Sequence, residues 1–520
     1  MNFARLVERF GQLPLWQQMV LSGAAVGLSF PPLPLGFLAW VGLVPLLLAW
    51  EKTDRPGQLA LLAWQWSLGY LFVMLYWLMF NTGTYFWAST IAMIGTVLML
   101  SVNFLAIGWW YGWLKRHWGR GAIWLLPAVW VAVEYLRTYG ALGFPWVALA
   151  NSQTGYLLTM QNVEITGIYG LSFWVVLINI LIVELLHASD RLRAGLALGA
   201  ALVAPWITGA LLLPPATAGS YKVGIVQPNV EAAEKWNSEN RNAIFAQLDE
   251  LTRIVAADSP AVVFWPEAAT PAYILKRSGR RYMEDIQGLV SDIGIPVVTG
   301  LPHYERQSSE RVLYYNSIAH IDSAGLVKLY HKTRLVPFAE MVPAVFKWLK
   351  IVDLLGINLG EFSPGSEYTV FEVGEGRLSV GICLETIFPR VYRRFTLAGA
   401  NVLVGAVNDG WYDKSLLTEP YQHAAQLRFR AIENRRPVVR VGNTGISMVV
   451  DKAGRVTARL GPNVAGTLVA QLAPSNDVTF YTRFGDLFAW LNLIIGITFS
   501  VVPLWRSRRS NKVVKKDPEE

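Results

Sequence analysis

Three polar residues, Glu267, Lys332 and Cys383, each come directly after an apolar run with the pattern of a buried strand. Because functional groups collect at the strand ends of layered α/β domains, we expect the three to converge at one edge of a sheet. A thiol is mostly protonated at neutral pH, so a nucleophilic Cys383 needs a base, which Glu267 can supply. Lys332 can stabilise the oxyanion of an acyl transfer. Each signal is weak alone, because a lone cysteine is often a buried hydrophobe and most Glu and Lys side chains are solvated.

The elements that would position these residues alternate between strand-like and helix-like patterns. Two Asp-X-Ala-Gly segments, 322–325 and 451–454, predict hairpin turns. Helices between buried strands predict an α/β domain with a layered α-β-β-α sandwich. The predicted strands are 223–230, 261–265, 296–301, 315–321, 327–330, 378–383, 401–406, 438–441, 447–451 and 466–471, and the predicted helices are 231–256, 282–293, 389–398 and 420–433.

The composition predicts a membrane protein. The chain is 53% hydrophobic and only 16% charged, whereas soluble proteins carry about 25% charged residues. We predict an α-helical membrane bundle of about eight spans, in which the first two, split by a Pro-rich segment, can instead form one hairpin of tilted helices. The predicted spans are 15–32, 35–50, 59–80, 86–113, 122–138, 163–186, 193–213 and 484–505.

These spans divide the chain into a membrane domain (1–215), a catalytic domain (220–480), a last span (484–505) and a basic tail (506–520). Since cytoplasmic loops are rich in Lys and Arg, both ends of the chain are predicted to be cytoplasmic and the catalytic domain periplasmic. The residues that mark the cytoplasmic side are Arg5, Arg9, Lys52, Arg55, Lys115, Arg116, Arg120, Arg191, Arg193, Arg506, Arg508, Arg509, Lys512, Lys515 and Lys516, and the loops without Lys or Arg are 29–36, 81–85 and 138–162.

Several function classes are disfavoured. The net charge of +8 includes a basic cluster beside an apolar segment, and no nucleic-acid motif accompanies it, so we expect no nucleic-acid partner. One cysteine allows no internal disulfide. The proposed chemistry needs no metal and no cofactor, and four histidines are too scattered in sequence to predict a metal site: His303, His320, His331 and His423.

The loop 138–162 mixes Gly, Pro and aromatic residues and carries no Lys or Arg. It is open to two interpretations. One is an aromatic belt at the membrane interface, and the other is a re-entrant or interfacial segment beside a path for lipid.

The surroundings of the three polar residues are distinctive: Phe264-Trp265-Pro266-Glu267, Lys332 followed by Leu335-Val336-Pro337-Phe338-Ala339-Glu340, and Gly381-Ile382-Cys383-Leu384-Glu385. In this order they resemble the Glu-Lys-Cys signatures of the nitrilase, or carbon–nitrogen hydrolase, superfamily over about residues 220–475. With the membrane part included, nearly the whole chain resembles the apolipoprotein N-acyltransferase family of bacterial inner membranes. The resemblance implies a nitrilase-like sandwich with Glu267 as general base, Lys332 as oxyanion stabiliser and Cys383 as nucleophile.

The resemblance also implies supporting residues. Glu340 matches a second essential carboxylate, and Glu385 matches a glutamate two residues after the nucleophile. Trp236 and Trp411 match loop tryptophans near the active site, although packing or anchoring at the membrane surface explains such residues equally well. Many relatives carry an aromatic residue directly after the nucleophile, where this chain has Leu384.

The implied activity is transfer of a fatty acyl chain from a phospholipid, with phosphatidylethanolamine as the preferred donor, to the α-amino group of a diacylglyceryl-cysteine apolipoprotein. Cys383 would carry the acyl group as a thioester. Two alternatives remain open: a membrane-tethered amidase or nitrilase that uses water as acceptor, and a transporter with a soluble sensor domain. Eight spans are more than a tether needs, and a transporter predicts polar residues inside the spans, where they are sparse.

Overall fold

The computed structural model describes residues 3–309, 311–344, 361–412 and 418–514. The N-terminal half and the C-terminal end of this part form a bundle of apolar helices. Its α-helices are Phe3–Gln12, Leu15–Gly27, Val44–Glu51, Pro56–Leu75, Phe86–Trp118, Leu126–Leu136, Leu157–Met160, Val163–Thr166, Ile168–His187, Arg191–Leu212, Phe480–Phe484 and Leu487–Val514. Its 3₁₀ turns are Gly36–Trp40, Tyr76–Phe80, Gly119–Leu125, Pro145–Val147 and Leu149–Gln153.

The predicted count of about eight spans is not confirmed. Within the described residues, five continuous helical stretches are long and apolar enough to cross a membrane, and Gly36–Glu51 is a shorter apolar helix. The first predicted span is only the 13-residue helix Leu15–Gly27. The five stretches are Pro56–Phe80, Phe86–Leu136, Ile168–His187, Arg191–Leu212 and Leu487–Trp505. Residues 515–520 of the predicted basic tail lie outside the described residues.

The stretch Phe86–Leu136 is a hairpin and not one straight helix. Gly119 has a φ of +63°, in the left-handed region that favours glycine, and it ends the first α-helix of the stretch. The rings of Phe104 and Trp130 then pack against each other at 5.6 Å, although 26 residues along a straight helix would separate them by about 39 Å. The predicted spans 86–113 and 122–138 therefore correspond to the two arms of this hairpin.

Loops predicted to lie on one side of the membrane meet at one end of the bundle. Lys115 forms an ion pair with Asp54 at 2.9 Å, and His187 hydrogen-bonds Glu51 at 2.8 Å. At the opposite end, the loops without basic residues contact the strand-rich domain, for example where Thr82 N donates to the carbonyl oxygen of Trp411. The basic loops thus contact one another, whereas the loops without Lys or Arg contact the strand-rich domain.

The strand-rich domain contains twelve strands: β1 (Tyr221–Gln227), β2 (Val262–Phe264), β3 (Val297–Arg306), β4 (Val312–Asp322), β5 (Gly325–His331), β6 (Phe371–Val373), β7 (Gly376–Ile382), β8 (Val402–Val407), β9 (Val438–Gly442), β10 (Ser447–Val450), β11 (Val456–Leu460) and β12 (Gly466–Leu472). They form two six-stranded sheets, in the orders β12-β1-β2-β3-β4-β5 and β11-β10-β9-β8-β7-β6. The pairs β1/β2, β2/β3, β7/β8 and β8/β9 are parallel.

Alternating apolar side chains explain the layers. On β2, Val262 and Phe264 join the core between the sheets, whereas Val263 faces a second core under the outer helices. Helices Arg241–Ala256 and Arg280–Ile293 cover the first sheet, and Pro389–Leu397 and Thr418–Asn434 cover the second. The α/β sandwich predicted from sequence is therefore present. The remaining short helices are Ala232–Lys235 and the 3₁₀ turns Arg277–Gly279 and Cys383–Ile387.

The structure corrects some predicted elements. The predicted helix 231–256 is two helices, Ala232–Lys235 and Arg241–Ala256, and sequence analysis missed β6 and β11. Both Asp-X-Ala-Gly segments form the predicted hairpins, and their glycines, Gly325 and Gly454, have positive φ.

The loop 138–162 is not an exposed aromatic belt. Trp146 is 3% exposed, and the turns Pro145–Val147 and Leu149–Gln153 are buried between the bundle and the sandwich. The indole Nε1 of Trp146 donates to Gln422 on helix Thr418–Asn434 at 2.8 Å. This loop is consequently buried at the interface between the helix bundle and the sandwich.

Close backbone contact between helices Leu15–Gly27 and Pro56–Leu75 gives a test of the bundle. A Cβ at Gly69 would lie 1.9 Å from the carbonyl oxygen of Val20, so Gly69→Ala must push the helices apart. We expect this variant to lower the melting temperature of the detergent-solubilised protein. The matched control is Gly95→Ala in helix Phe86–Trp118, where no atom lies within 4 Å of the added Cβ; it should be neutral or stabilising by up to about 1 kcal/mol. Equal behaviour of the two variants would contradict this packing.

Candidate active site

The ammonium group of Lys332 is at the centre of a buried charged cluster. Lys332 follows β5 and is 1% exposed. Its Nζ lies 2.9 Å from both carboxylate oxygens of Glu340 and 3.6 Å from Oε1 of Glu267. Burial lowers the pKa of Lys332, but Glu340 and Glu267 outweigh it and hold this pKa above the ordinary value. The group therefore stays cationic inside the protein.

Asn316 on β4 connects the two carboxylates. Its Nδ2 donates to Glu267 at 2.8 Å and to Glu340 at 3.0 Å. Glu340 also accepts a hydrogen bond from the backbone N of Val336 at 2.8 Å. These bonds fix the side chains on both sides of Lys332, so the orientation of Glu267 does not depend on a single contact.

Glu267 is a buried carboxylate whose pKa is raised. Burial is the largest cause, Glu340 adds to it, and Lys332, Asn316 and Lys235 oppose it. Its Oε2 has no hydrogen-bond partner among the described residues. A carboxylate with a raised pKa and an unpaired oxygen is suited to accept and return a proton.

Cys383 lies just past β7, at the same end of the sandwich as Glu267 and Lys332. Its φ of +46° is unusual for a residue with a side chain and costs conformational energy. Burial raises the pKa of Cys383 well above the ordinary value, Glu267 raises it further, and Lys332 lowers it. The thiol is therefore protonated at neutral pH and needs a neighbouring base to react.

The three residues converge between two sheets and not at the edge of one. Glu267 and Lys332 follow strands β2 and β5 of the first sheet, whereas Cys383 follows β7 of the second. The strand ends from both sheets point toward the same end of the sandwich. The sequence predicted the strand ends correctly but could not show which sheet each strand joins.

Glu385 joins the turn Cys383–Ile387 to the segment after Lys332. It is fully buried and accepts hydrogen bonds from the backbone N of Thr333 at 2.7 Å and of Ile382 at 2.8 Å, and from the hydroxyl of Tyr330 at 2.8 Å. Burial raises its pKa, and these hydrogen bonds oppose the rise. These hydrogen bonds hold the two loops together, so Glu385 is placed as a positioning residue.

Lys235 is a second buried cation, which sequence analysis missed. It is 2% exposed, and its Nζ has no hydrogen-bond partner among the described residues. Burial lowers its pKa to about 8, and Glu267 opposes this. With Lys332, it brings two ammonium groups to a site that contains the carboxylates Glu267 and Glu340, so the cluster is close to electrically neutral.

A second buried hydrogen-bond network contacts the turn Cys383–Ile387. The hydroxyl of Thr386 donates to the carbonyl oxygen of Cys383 at 2.8 Å and lies 2.6 Å from Nε2 of His423. Nδ1 of His423 is 3.1 Å from Asp409, which also accepts two hydrogen bonds from Arg440. Burial raises the pKa of Asp409, but Arg440 and His423 outweigh it and hold this pKa at about 2.

This network contains residue types that bind metal ions, but the charge of Arg440 disfavours a bound cation. Asp409, Glu419 and His423 bring their donor atoms within 4.8 Å of one another. The guanidinium of Arg440 lies 2.8 Å from Asp409, however, and already neutralises it. A further cation would face this positive charge at close range, so the cluster is an ion-pair network.

The site adjoins the outer loops of the bundle. Arg334, two residues after Lys332, donates to the carbonyl oxygen of Gly140 at 3.2 Å. The ring of Trp146 lies 5.2 Å from that of His423. Two contacts from loop 138–162 therefore reach residues that adjoin Lys332 and Thr386.

The two predicted tryptophans and Leu384 are placed differently from the charged residues. Trp236 is 51% exposed, directly after Lys235, and no described contact joins it to Cys383. Trp411 is 38% exposed and meets the loop at Thr82 and Gly83. Leu384 is buried. Among the described residues, no hydrogen bond joins either tryptophan to Glu267, Lys332 or Cys383.

Comparison with known proteins identifies relatives over nearly the full length of the chain. Residues 22–181 match the family model described as apolipoprotein N-acyltransferase N-terminal domain, and residues 222–477 match carbon-nitrogen hydrolase. The apolipoprotein N-acyltransferase of Geobacter metallireducens is 33% identical over 94% of this chain and 96% of its own length. The apolipoprotein N-acyltransferase of Chlorobaculum tepidum is 30% identical over 97% of this chain and 98% of its own length. A solved amidase from Nesterenkonia sp. aligns with 53% of this chain and 97% of its own at 17% identity, with a TM-score of 0.39.

The place of Lys235 predicts a change in the pH dependence of thiol reactivity. Removing its charge in Lys235→Met removes a group that lowers the pKa of Glu267, so that pKa should rise further. As the pH is lowered, Glu267 would then become protonated, and stop accepting the thiol proton, at a higher pH than in the wild type. We therefore expect the rate of Cys383 alkylation by iodoacetamide to begin to fall at a higher pH than in the wild type. At pH 6 this rate should be several-fold slower than that of the wild type.

The control for this experiment is Lys276→Met, which removes a lysine that lies over the ring of Tyr304 and is not among the groups that shift the pKa of Glu267. Its alkylation profile should match that of the wild type. A Lys235→Met profile that stays in place, or moves to lower pH, would show that Lys235 does not act on the base.

Proposed function

The chain belongs to the apolipoprotein N-acyltransferase family, and from this we propose that it transfers a fatty acyl chain from a phospholipid to the α-amino group of a diacylglyceryl-cysteine lipoprotein. The observation that carries the proposal is the cluster of Glu267, Lys332 and Cys383, where one cation lies 3.6 Å from the carboxylate and interacts electrostatically with the thiol. That arrangement supplies a nucleophile, a base and an oxyanion partner at one point.

In the first proposed step, Glu267 takes the proton of the Cys383 thiol while sulfur attacks the ester carbonyl of the phospholipid. Lys332 stabilises the negative oxygen of the tetrahedral intermediate. The carbon–oxygen bond of the ester breaks, and Glu267 returns the proton to the departing alkoxide. The products are a lysophospholipid and a thioester on Cys383.

In the second proposed step, the neutral α-amino group of the acceptor attacks the thioester carbonyl. Lys332 again stabilises the oxyanion. The carbon–sulfur bond breaks, and Glu267 moves one proton from the amine to the leaving sulfur, which restores the thiol of Cys383. The acyl group ends as an amide on the lipoprotein, and no redox change or co-reactant is needed.

The donor and acceptor classes are part of the proposal. A fatty acyl chain leaves a bilayer at a cost of roughly 0.8 kcal/mol for each buried CH₂, so an enzyme that handles it should keep the thiol at the membrane surface. The contacts of Arg334 with Gly140 and of Trp411 with Thr82 support such a position. The printed names of the relatives support a lipoprotein acceptor. We propose phosphatidylethanolamine as the preferred donor.

We also propose the orientation in the membrane. Residues 1–215 and 484–505 would form the membrane part in the bacterial inner membrane, with residues 220–480 in the periplasm and both ends of the chain in the cytoplasm. The meeting of basic loops at one end of the bundle, as in the Lys115–Asp54 pair, supports this orientation. So does the contact of the loops without basic residues with the sandwich at the other end.

The supporting residues receive distinct proposed roles. Glu340 holds Lys332 in place through its two 2.9 Å contacts, and Glu385 keeps the Cys383 turn in register with the loop after Lys332. The exposed rings of Trp236 and Trp411 would contact lipid at the rim of the site.

Replacement of Lys332 gives a direct test of the oxyanion role. With phospholipid labelled in its acyl chain and a synthetic lipopeptide bearing an N-terminal diacylglyceryl-cysteine, the wild type should yield labelled N-acyl peptide. Lys332→Met should lower the rate by roughly 10²–10³-fold, because the oxyanion loses its charge partner. The matched control is Lys328→Met on β5, the strand that precedes Lys332; the Nζ of Lys328 donates to the carbonyl oxygen of Val370, and this variant should retain activity.

The same assay separates the proposed acceptor from water. Label in the peptide supports transfer to an amine, whereas label released as free fatty acid in the presence of peptide indicates the alternative of a membrane-tethered hydrolase. Lys332→Met with wild-type activity would contradict the assigned role of the cation.

A further inference from the structure

Two histidines and a glutamate meet on the outer face of the first sheet, behind the charged cluster. His303 and Glu305 are on β3, and His331 is the last residue of β5. Glu305 Oε1 lies 3.8 Å from Nε2 of His303 and 3.6 Å from Nε2 of His331, and the three donor atoms lie within 4.8 Å of one another. The distance between His303 and His331 along the sequence hid this grouping, because β4 brings the two strands into register.

From this geometry we propose that His303, Glu305 and His331 bind a divalent transition-metal ion, with Zn²⁺ as the cognate metal. Imidazole and carboxylate are established zinc ligands, and three protein ligands with a water complete a tetrahedral site. Two ligand atoms each about 2.05 Å from a tetrahedral Zn²⁺ are about 3.3 Å apart. The two separations from Glu305 are slightly larger than this and too long for good hydrogen bonds.

The ring positions allow both imidazoles to point at one ion. The ring of Tyr315 stacks on that of His331 with centroids 4.1 Å apart, and His303 lies 5.5 Å from His331 and 6.5 Å from Tyr315. The rings of His303 and His331 are nearly parallel, with an interplanar angle of 14°, and Nε2 of each lies at most 3.8 Å from the same oxygen of Glu305. An ion beside this oxygen is therefore within reach of both imidazoles.

The second ring nitrogen of His331 has a partner of the kind seen around metal ligands. Its Nδ1 lies 2.7 Å from the hydroxyl of Ser317, the residue paired with it on β4. An Nδ1–H donated to this oxygen leaves Nε2 as the ligand atom and fixes the ring orientation.

Charged residues of both signs surround the three ligands, so a charge can be removed to test binding. Glu305 and Glu367 act on His331 as negative groups, whereas Lys276 acts on His303 as a positive one. The carboxylate of Glu305 is half-exposed, which gives an ion access from solvent. Removal of the Lys276 charge should therefore strengthen binding of a cation.

A bound ion would connect β3 to β5 across β4. His331 immediately precedes Lys332, whose backbone N is already held by the carbonyl oxygen of Asn316. Metal binding should thus stiffen the strand end that carries the central ammonium group, while the ion itself stays on the opposite face of the sheet. The inference does not depend on the proposed acyl transfer.

The test uses the full chain in detergent, freed of any affinity tag and stripped with chelator. Co²⁺ is the spectroscopic probe, since its d–d bands in the visible range are intense in a four-coordinate site. We expect one Co²⁺ per chain, displacement by Zn²⁺ and a higher melting temperature with either metal. Glu305→Gln should weaken Co²⁺ affinity at least tenfold, His303→Ala should abolish the band, and Lys276→Met should tighten binding several-fold.

The control variant is His320→Gln, which alters a buried histidine of β4 that is not one of the three ligands. It should bind Co²⁺ as the wild type does. The half-exposed Glu305 tolerates an amide of the same shape, so Glu305→Gln reports on binding and not on folding. Absence of a Co²⁺ band in the wild type, or an unchanged affinity in Glu305→Gln, would overturn the proposal.

Discussion

The buried ammonium of Lys332 is the constraint on which the rest of the site depends. A lone cation at 1% exposure would cost several kcal/mol, and Glu340 and Glu267 offset this cost. Burial raises the pKa of the Cys383 thiol and the same carboxylates raise it further, so Lys332 is charged at neutral pH and Cys383 is not. In the proposed mechanism, attack by sulfur is therefore coupled to proton transfer, and the ammonium group lies where negative charge would develop.

The need to hold the groups around Lys332 in place accounts for the contacts between the sandwich and the helix bundle. The loop that follows Lys332 reaches Gly140 through Arg334, and the turn that follows Cys383 reaches Trp146 through Thr386 and His423. A small displacement of the sandwich on the bundle would therefore move the groups that meet at the thiol. The packed loop 138–162 holds the helix bundle in a fixed position relative to the charged site, whose chemistry depends on precise distances.

Sequence could predict the parts of this arrangement that are local. Strand-like apolar runs locate ten of the twelve strands, and the segments around Glu267, Lys332 and Cys383 are distinctive. The two missed strands lack a continuous apolar run: β6 has only three residues, and β11 alternates apolar with polar residues and is partly exposed. Asn316 lies inside a strand and Lys235 lies in a polar segment, so nothing in their local sequence separates them from structural or solvated residues. Only the tertiary pairing of strands shows that they surround the same carboxylate.

The most direct test of the central claim is the intact mass of the protein extracted from its own membrane. The account predicts a wild-type population heavier than the sequence mass by one fatty acyl group, because the thioester on Cys383 waits for an amine. Cys383→Ala should lack this added mass. A wild-type protein that never carries an acyl group, or an acyl mass that persists in Cys383→Ala, would contradict the account.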